Sequence, residues 1–229
     1  MSSTAPQDFG QPFVLEDYIP IQQPVTTTSP ALCAVCHKPA SHQRCSKCKS
    51  INYCSNTCQT TDWPAHKILC APFLRSHVTR PGPTFRRALL FPEHNAKPKF
   101  IWLEYGTNDG RPLDMPAYFP STPPQEIKTI AFHNRFLPYW IQVSYDSNAS
   151  SRVLQDNAGL QDVRGGVVVL AYDLDVGLSG PALDVGPGVL GPVREYFALR
   201  RGYRGPVFVE QPQERYEEGV WREFMKGGG

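Results

Sequence analysis

All seven cysteines of the 229-residue chain fall between positions 33 and 70, and nothing else in the sequence constrains the fold as tightly. The stretch reads C-A-V-C-H-K-P-A-S-H-Q-R-C-S-K-C-K-S-I-N-Y-C-S-N-T-C-Q-T-T-D-W-P-A-H-K-I-L-C. Two C-x-x-C pairs come first, Cys33/Cys36 and Cys45/Cys48, followed by Cys54/Cys58 at C-x3-C and His66/Cys70 at H-x3-C. Eight soft or borderline ligands suffice for two four-coordinate zinc ions. A C-x-x-C turn lets two thiolates converge on one ion, and each i,i+4 pair shares a face if its segment is helical. Ser55 or Asn56 can cap a first short helix and Asp62 a second, with Pro64 tolerated in the first turn. Spacing leaves the pairing of the four ligand pairs open, because interleaved and sequential arrangements satisfy the same chemistry.

A disulfide scaffold is the competing use of so many cysteines. Seven is odd, and the first residues, M-S-S-T-A-P-Q-D, have neither the basic nor the apolar region of a secretory leader. A reducing, intracellular setting, nucleus or cytoplasm, is therefore expected. His37 and His42 lie inside the stretch but outside the ligand spacing and read as loop residues.

The full pattern, C-x2-C-x8-C-x2-C-x5-C-x3-C-x7-H-x3-C, resembles a MYND-type zinc finger, with every ligand position filled. The resemblance implies two Zn2+ per chain in an interleaved arrangement: Cys33, Cys36, Cys54 and Cys58 on one ion, and Cys45, Cys48, His66 and Cys70 on the other. It also implies a protein-interaction module whose shallow groove takes short proline-containing peptides, with Gln59 and Trp63 contributing to the groove. A Trp face suits a proline ring and a Gln amide can bond an extended backbone, although a Trp can equally pack on the ligand helices. The chain's own Pro20-Ile-Gln-Gln-Pro24 carries Gln where the family's P-x-L-x-P ligands carry Leu, so little self-blocking is expected.

Such a finger is too small to bury a real core, so metal must supply its folding energy. Charge bears on the partner. The formal net charge is +2; seven thiolates and two Zn2+ bring it to about −1. The basic residues of the finger, Lys38, Arg44, Lys47, Lys49 and Lys67, are thus mostly counter-charge to the thiolates. That argues against nucleic acid, which wants a surplus on one face. No apolar run approaches the roughly 18 residues of a membrane span.

The expected organisation is a disordered Pro/Gln/Thr-rich segment at 1–30, the finger at 31–72, a basic linker at 73–97 and an α+β domain of uncertain topology at 98–229. Residues 1–30 hold five prolines, and such a stretch buries too little apolar surface to offset its ordering entropy. Within the linker, 85–91 can form a short strand or helix. Strands are expected at 100–105, 127–132, 139–145, 167–172 and 206–209, and helices at 193–201 and 216–225. The run 167–172 is apolar throughout and reads as a central strand. The proline-rich connector suggests that the finger folds independently of 98–229.

The second half offers weak chemical signals. Gly186-Pro-Gly188-Val-Leu-Gly191 is formally G-x-G-x-x-G, but no strand directly precedes it and Pro187 and Pro192 remove donors. Asp173, Asp175 and Asp184 read as turn chemistry, and His133 as an ordinary strand residue. An enzymatic alternative, such as a divergent SET-like methyltransferase in 98–229, lacks its N-H-S-C-type motif, and no cysteine follows Cys70. No catalytic residue is assigned, and the chain reads as a scaffold or adaptor.

Overall fold

The computed structural model describes residues 11–17, 31–36, 38–40, 43–77, 79–106, 112–119, 127–133, 139–146, 154–161, 163–173, 176 and 180–199. The expected strand at 206–209 and helix at 216–225 lie outside them, as do His37, His42 and Asp175.

The finger contributes a two-residue antiparallel ladder, β2 (Gln43–Arg44) against β3 (Asn52–Tyr53), and one long helix, α1 (Asn56–His77). Where two short helices were expected, one helix runs through. Ser55 caps it, its Oγ accepting from the Cys58 N–H at 3.2 Å. Asp62 is inside the helix, where it accepts a 2.6 Å hydrogen bond from the Tyr53 hydroxyl. Pro64 and Pro72 also lie within α1.

Beyond α1 come β4 (Phe85–Phe91), β5 (Lys99–Glu104), a 3-10 turn at Met115–Tyr118, β6 (Ile127–His133), β7 (Tyr139–Asp146), β8 (Val167–Asp173), a second 3-10 turn at Pro187–Val189, and α2 (Leu190–Leu199). With β1 (Gln11–Asp17) they form a six-stranded sheet in the order β1-β6-β7-β8-β4-β5. The pairing of β1 with β6 is parallel and the other four are antiparallel. The all-apolar β8 lies inside the sheet, between β7 and β4, and its side chains alternate between two buried faces. Val167, Val169 and Ala171 join Leu89, Phe91, Ile141 and Val143 on the face that α1 and α2 cover, the helices adding Leu69, Val193, Tyr196 and Phe197. Val168, Leu170 and Tyr172 join Ala88, Leu90 and Leu103 on the opposite face, under Tyr118, Phe119 and Ala182.

Two stretches placed outside the expected α+β domain hold strands of its sheet. The segment 73–97 contains β4, which pairs with both β5 and β8. Residues 85–91, expected as a short strand or helix, are the strand F-R-R-A-L-L-F, whose last five residues are buried. Residues 11–17 form β1, an edge strand with Pro12 near its start, where a missing N–H is tolerated. Its partner lies more than 110 residues away (Gln11 opposite Lys128), so nothing local announces the pairing.

The second half of α1 lies against the sheet. Phe73 meets Phe100 of β5 edge-on at 5.9 Å, and Leu69 enters the main core. Arg87 of β4 is buried between them. Its guanidinium sits 4.3 Å from the Phe73 ring centroid and 5.5 Å from that of Phe100. Nε donates to the Val185 carbonyl at 2.8 Å and Nη1 to the Ser76 hydroxyl at 3.3 Å. Burial pulls the Arg87 pKa down, and the Asp184 carboxylate opposes that pull. Asp184 also accepts from the Arg87 N–H at 2.9 Å and pairs with Arg80. Arg87→Ala should therefore cost about 2–4 kcal/mol, through a cavity and an unpaired Val185 carbonyl. Urea unfolding of the zinc-loaded chain measures it; a midpoint equal to wild type would assign Arg87 no role in joining α1 to the sheet.

Candidate metal centres

The eight ligand residues converge as two separate clusters. Cys33, Cys36, Cys54 and Cys58 form one, and Cys45, Cys48, His66 and Cys70 the other, with the ligand atoms of each within 4.8 Å of one another. The arrangement is interleaved: α1 closes both sites, giving Cys58 to the first and His66 and Cys70 to the second.

Local backbone structure aims each pair. Cys33 and Cys36 lie on a turn tied by the Cys33 N–H to the Lys38 carbonyl at 2.9 Å. Cys45 and Cys48 lie on a tighter one, in which the Lys49 N–H reaches the Cys45 carbonyl at 2.9 Å and Lys49 takes φ 53°. His66 and Cys70 are one helical turn apart on α1, so their ligand atoms face the same way.

The spacings fit a tetrahedral zinc. Four thiolates at the usual Zn–S length stand about 3.8 Å apart. Cys36 and Cys54 sulfurs are 3.3 Å apart, Cys54 and Cys58 3.5 Å, and Cys45 and Cys70 3.8 Å. His66 Nε2 lies 3.5 Å from the Cys48 sulfur. A disulfide needs about 2.05 Å, and all seven cysteines are free thiols. The donors' electrostatics also call for a cation. Burial opposes ionisation of Cys33 and Cys45, yet hydrogen bonds from surrounding backbone N–H groups bring each down to about 6. Three other thiols resist. Hydrogen bonds with Cys36 and Cys58 push Cys54 up to about 12, and burial, with the neighbouring Cys45 and Cys48, pushes Cys70 up to about 12. Burial raises Cys48 as well. Each cluster thus accepts one negative charge readily and repels the next, the condition a divalent ion relieves.

The two sites differ in exposure. Cys45, Cys48, His66 and Cys70 are all buried, whereas Cys36, Cys54 and Cys58 are half-exposed. The buried site carries neighbours that spacing alone did not reveal. Tyr53 is fully buried, edge-on to the His66 ring at 6.4 Å. Burial and the Asp62 carboxylate hold its phenol well above the usual range, so it stays a donor. Asp62, read from sequence as a helix cap, is thus the acceptor of a buried phenol; the signal was an aromatic directly before Cys54.

Gln59 is half-buried in the first turn of α1, and Trp63 lies one turn on, 45% exposed, its ring 6.0 Å from that of His66. The signals of the second half resolve as structure. Asp173 accepts from the Val176 N–H at 3.2 Å, a turn bond, and Asp184 serves the two arginines. Residues 186–191 form the 3-10 turn and the start of α2, following β8 only after a gap and an isolated bridge at Leu183. His133 is in β6.

Residues 33–70 match the family model for the MYND finger. Similar proteins include "Ubiquitin carboxyl-terminal hydrolase 19" of Arabidopsis thaliana, 52% identical over 44 residues, which cover 19% of this chain and 6% of that protein. "SET domain and MYND-type zinc finger protein 6" of Schizosaccharomyces pombe is 32% identical over 95 residues, 36% of this chain and 20% of that one. Human "Tudor domain-containing protein 1" is 39% identical over 64 residues, 26% of this chain and 5% of that one. The chain therefore spans a fifth or less of each relative's length. No solved structure matches it.

Two ions per chain should be measurable directly. Metal analysis of purified protein is expected to return two zincs, with the seven thiols unreactive towards a thiol reagent until a chelator is added. One zinc or none, with thiols freely reactive, would contradict the assignment.

Proposed function

We propose that the MYND finger at residues 33–70 docks proline-containing peptide segments through Gln59 and Trp63, and that the chain works as a scaffold or regulatory adaptor inside the cell. The MYND finger is a protein-interaction module. The observation that carries the finer reading is the placement of Trp63, which is half-exposed on α1 while its ring lies beside the metal-ligand His66. Metal bonds and helix geometry fix such a ring before a partner arrives, which lowers the entropy lost on binding. One face is then free for a proline ring, and Gln59, one turn earlier, supplies an amide for an extended backbone.

The reading assigns no catalysis to this chain. Its support is chemical: the cysteines sit in the two metal clusters, Asp173 makes a turn contact and Asp184 pairs with arginine. Enzymes among the similar proteins carry the finger in much longer chains.

Trp63→Ala should weaken binding of a proline-containing partner peptide by about 1–3 kcal/mol, roughly 5- to 150-fold in Kd, with both zincs retained. Titration of wild-type and variant proteins, with zinc content measured on each, tests this. Unchanged affinity at full zinc occupancy would move the interaction surface elsewhere and leave Trp63 as packing against the ligand helix.

A further inference from the structure

The buried metal cluster shares its packing with the sheet through Phe73 and Phe100. Its two halves come from different segments, the 45–48 turn and helix α1, and each half continues into a contact with the sheet domain. From the turn, Ile51 packs against Pro187–Val189, so tightly that a methyl group added at Gly188 would stand 3.1 Å from Ile51 Cδ1. From the helix, Leu69 enters the main core beside Cys70, and Phe73 and Ser76 follow with their contacts to Phe100 and Arg87. The same aromatic, Phe100, packs against both the finger cluster and the main core. The other cluster is tied chiefly within the finger. Cys36, Cys54 and Cys58 are partly exposed and only Cys33 of this cluster is buried; Cys58 is in the first turn of α1, and the hydrogen bonds that hold the 33–36 turn stay inside the finger, from the Cys33 N–H to the Lys38 carbonyl at 2.9 Å and from the Ala34 N–H to the Asn52 carbonyl at 3.0 Å.

We propose that the two metal sites have separate duties: occupancy of the Cys45/Cys48/His66/Cys70 site controls whether the six-stranded sheet is stably folded, while the Cys33/Cys36/Cys54/Cys58 site governs only the outer finger. The physical basis is the shared helix. Without an ion, the buried cluster crowds its donors with no metal bond to hold them: the Cys45 and Cys70 sulfurs stand 3.8 Å apart, the Cys48 sulfur lies 3.5 Å from His66 Nε2, and the buried His66 Nδ1 has no hydrogen-bond partner. Releasing that crowding means moving the 45–48 turn away from α1, which withdraws Ile51 from Gly188 and loosens the Leu69–Phe73–Ser76 face over β4 and β5. The sheet then exposes a face built of Leu89, Phe91, Val167 and Val169, apolar area whose burial is a main source of its stability. Loss of the outer ion frees the 33–36 turn and the start of α1, whose hydrogen bonds are made within the finger. The chain thus couples metal supply to the state of a sheet to which none of the eight ligands belongs.

The test uses the full-length zinc-loaded protein and two variants, Cys36→Ser and Cys48→Ser, each checked for zinc content. Hydrogen exchange of the β8 amides, Val167–Asp173, reports on the sheet. Cys36→Ser is expected to keep one zinc and to exchange in β8 within roughly threefold of wild type, whereas Cys48→Ser should exchange at least about tenfold faster. If Cys48→Ser does not accumulate as folded protein, stepwise chelation of wild type decides, with β8 protection expected to persist through release of the first zinc and to vanish with the second. The proposal is overturned by β8 protection that survives removal of both zincs. It is also overturned by wild-type exchange in Cys48→Ser, or by equal loss of protection in Cys36→Ser holding one zinc.

Discussion

The interaction on which the structure turns is the crowding of seven thiols and one imidazole into two clusters that one helix closes. Thiols at 3.3–3.8 Å are too close to share negative charge without a cation and too far apart to be bonded. A zinc ion supplies the attraction, and four bonds to it replace the apolar core that some 40 residues cannot build. Because the ligand pairs interleave, neither site closes until the chain has returned through α1. The metal therefore fixes long-range contacts, and the ladder of β2 with β3, only two residues per strand, follows from that closure.

α1 carries this order beyond the finger. Its first turns present Gln59 and Trp63, its middle supplies His66 and Cys70, and its last turns cover the sheet through Leu69, Phe73 and Ser76. A helix with this many partners tolerates two internal prolines because tertiary contacts and metal bonds outweigh the hydrogen bonds they remove. Arg87 makes the junction specific: its charge stacks against Phe73 while its donors are matched to Val185 and Ser76.

Ligand chemistry was legible in the sequence because metal sites demand fixed residue types at fixed spacings, and Cys33 to Cys70 meet those demands without a gap. The interior strand β8 was legible for a similar reason, since six consecutive apolar residues have few other uses. What could not be read depends on distant partners. Nothing near Gln11–Asp17 indicates a parallel pairing with β6, and the Arg86-Arg87 pair looks like a solvated surface until the aromatic and carbonyl partners of Arg87 come from α1, β5 and the segment after β8. The independence expected of the finger rested on proline content in 73–97. That segment holds the end of α1 and strand β4; a strand or helix at 85–91 was legible, but its place between β8 and β5 was not.

The account stands on the interleaved pairing, because only that arrangement ties the 45–48 turn to the helix that meets the sheet. Cadmium substituted for zinc allows the pairing to be observed, through scalar couplings between each metal nucleus and the protons of its ligands. The account predicts two cadmium resonances, one coupled to Cys33, Cys36, Cys54 and Cys58, the other to Cys45, Cys48, Cys70 and the ring of His66. A single resonance coupled to both Cys33 and Cys45 would contradict it.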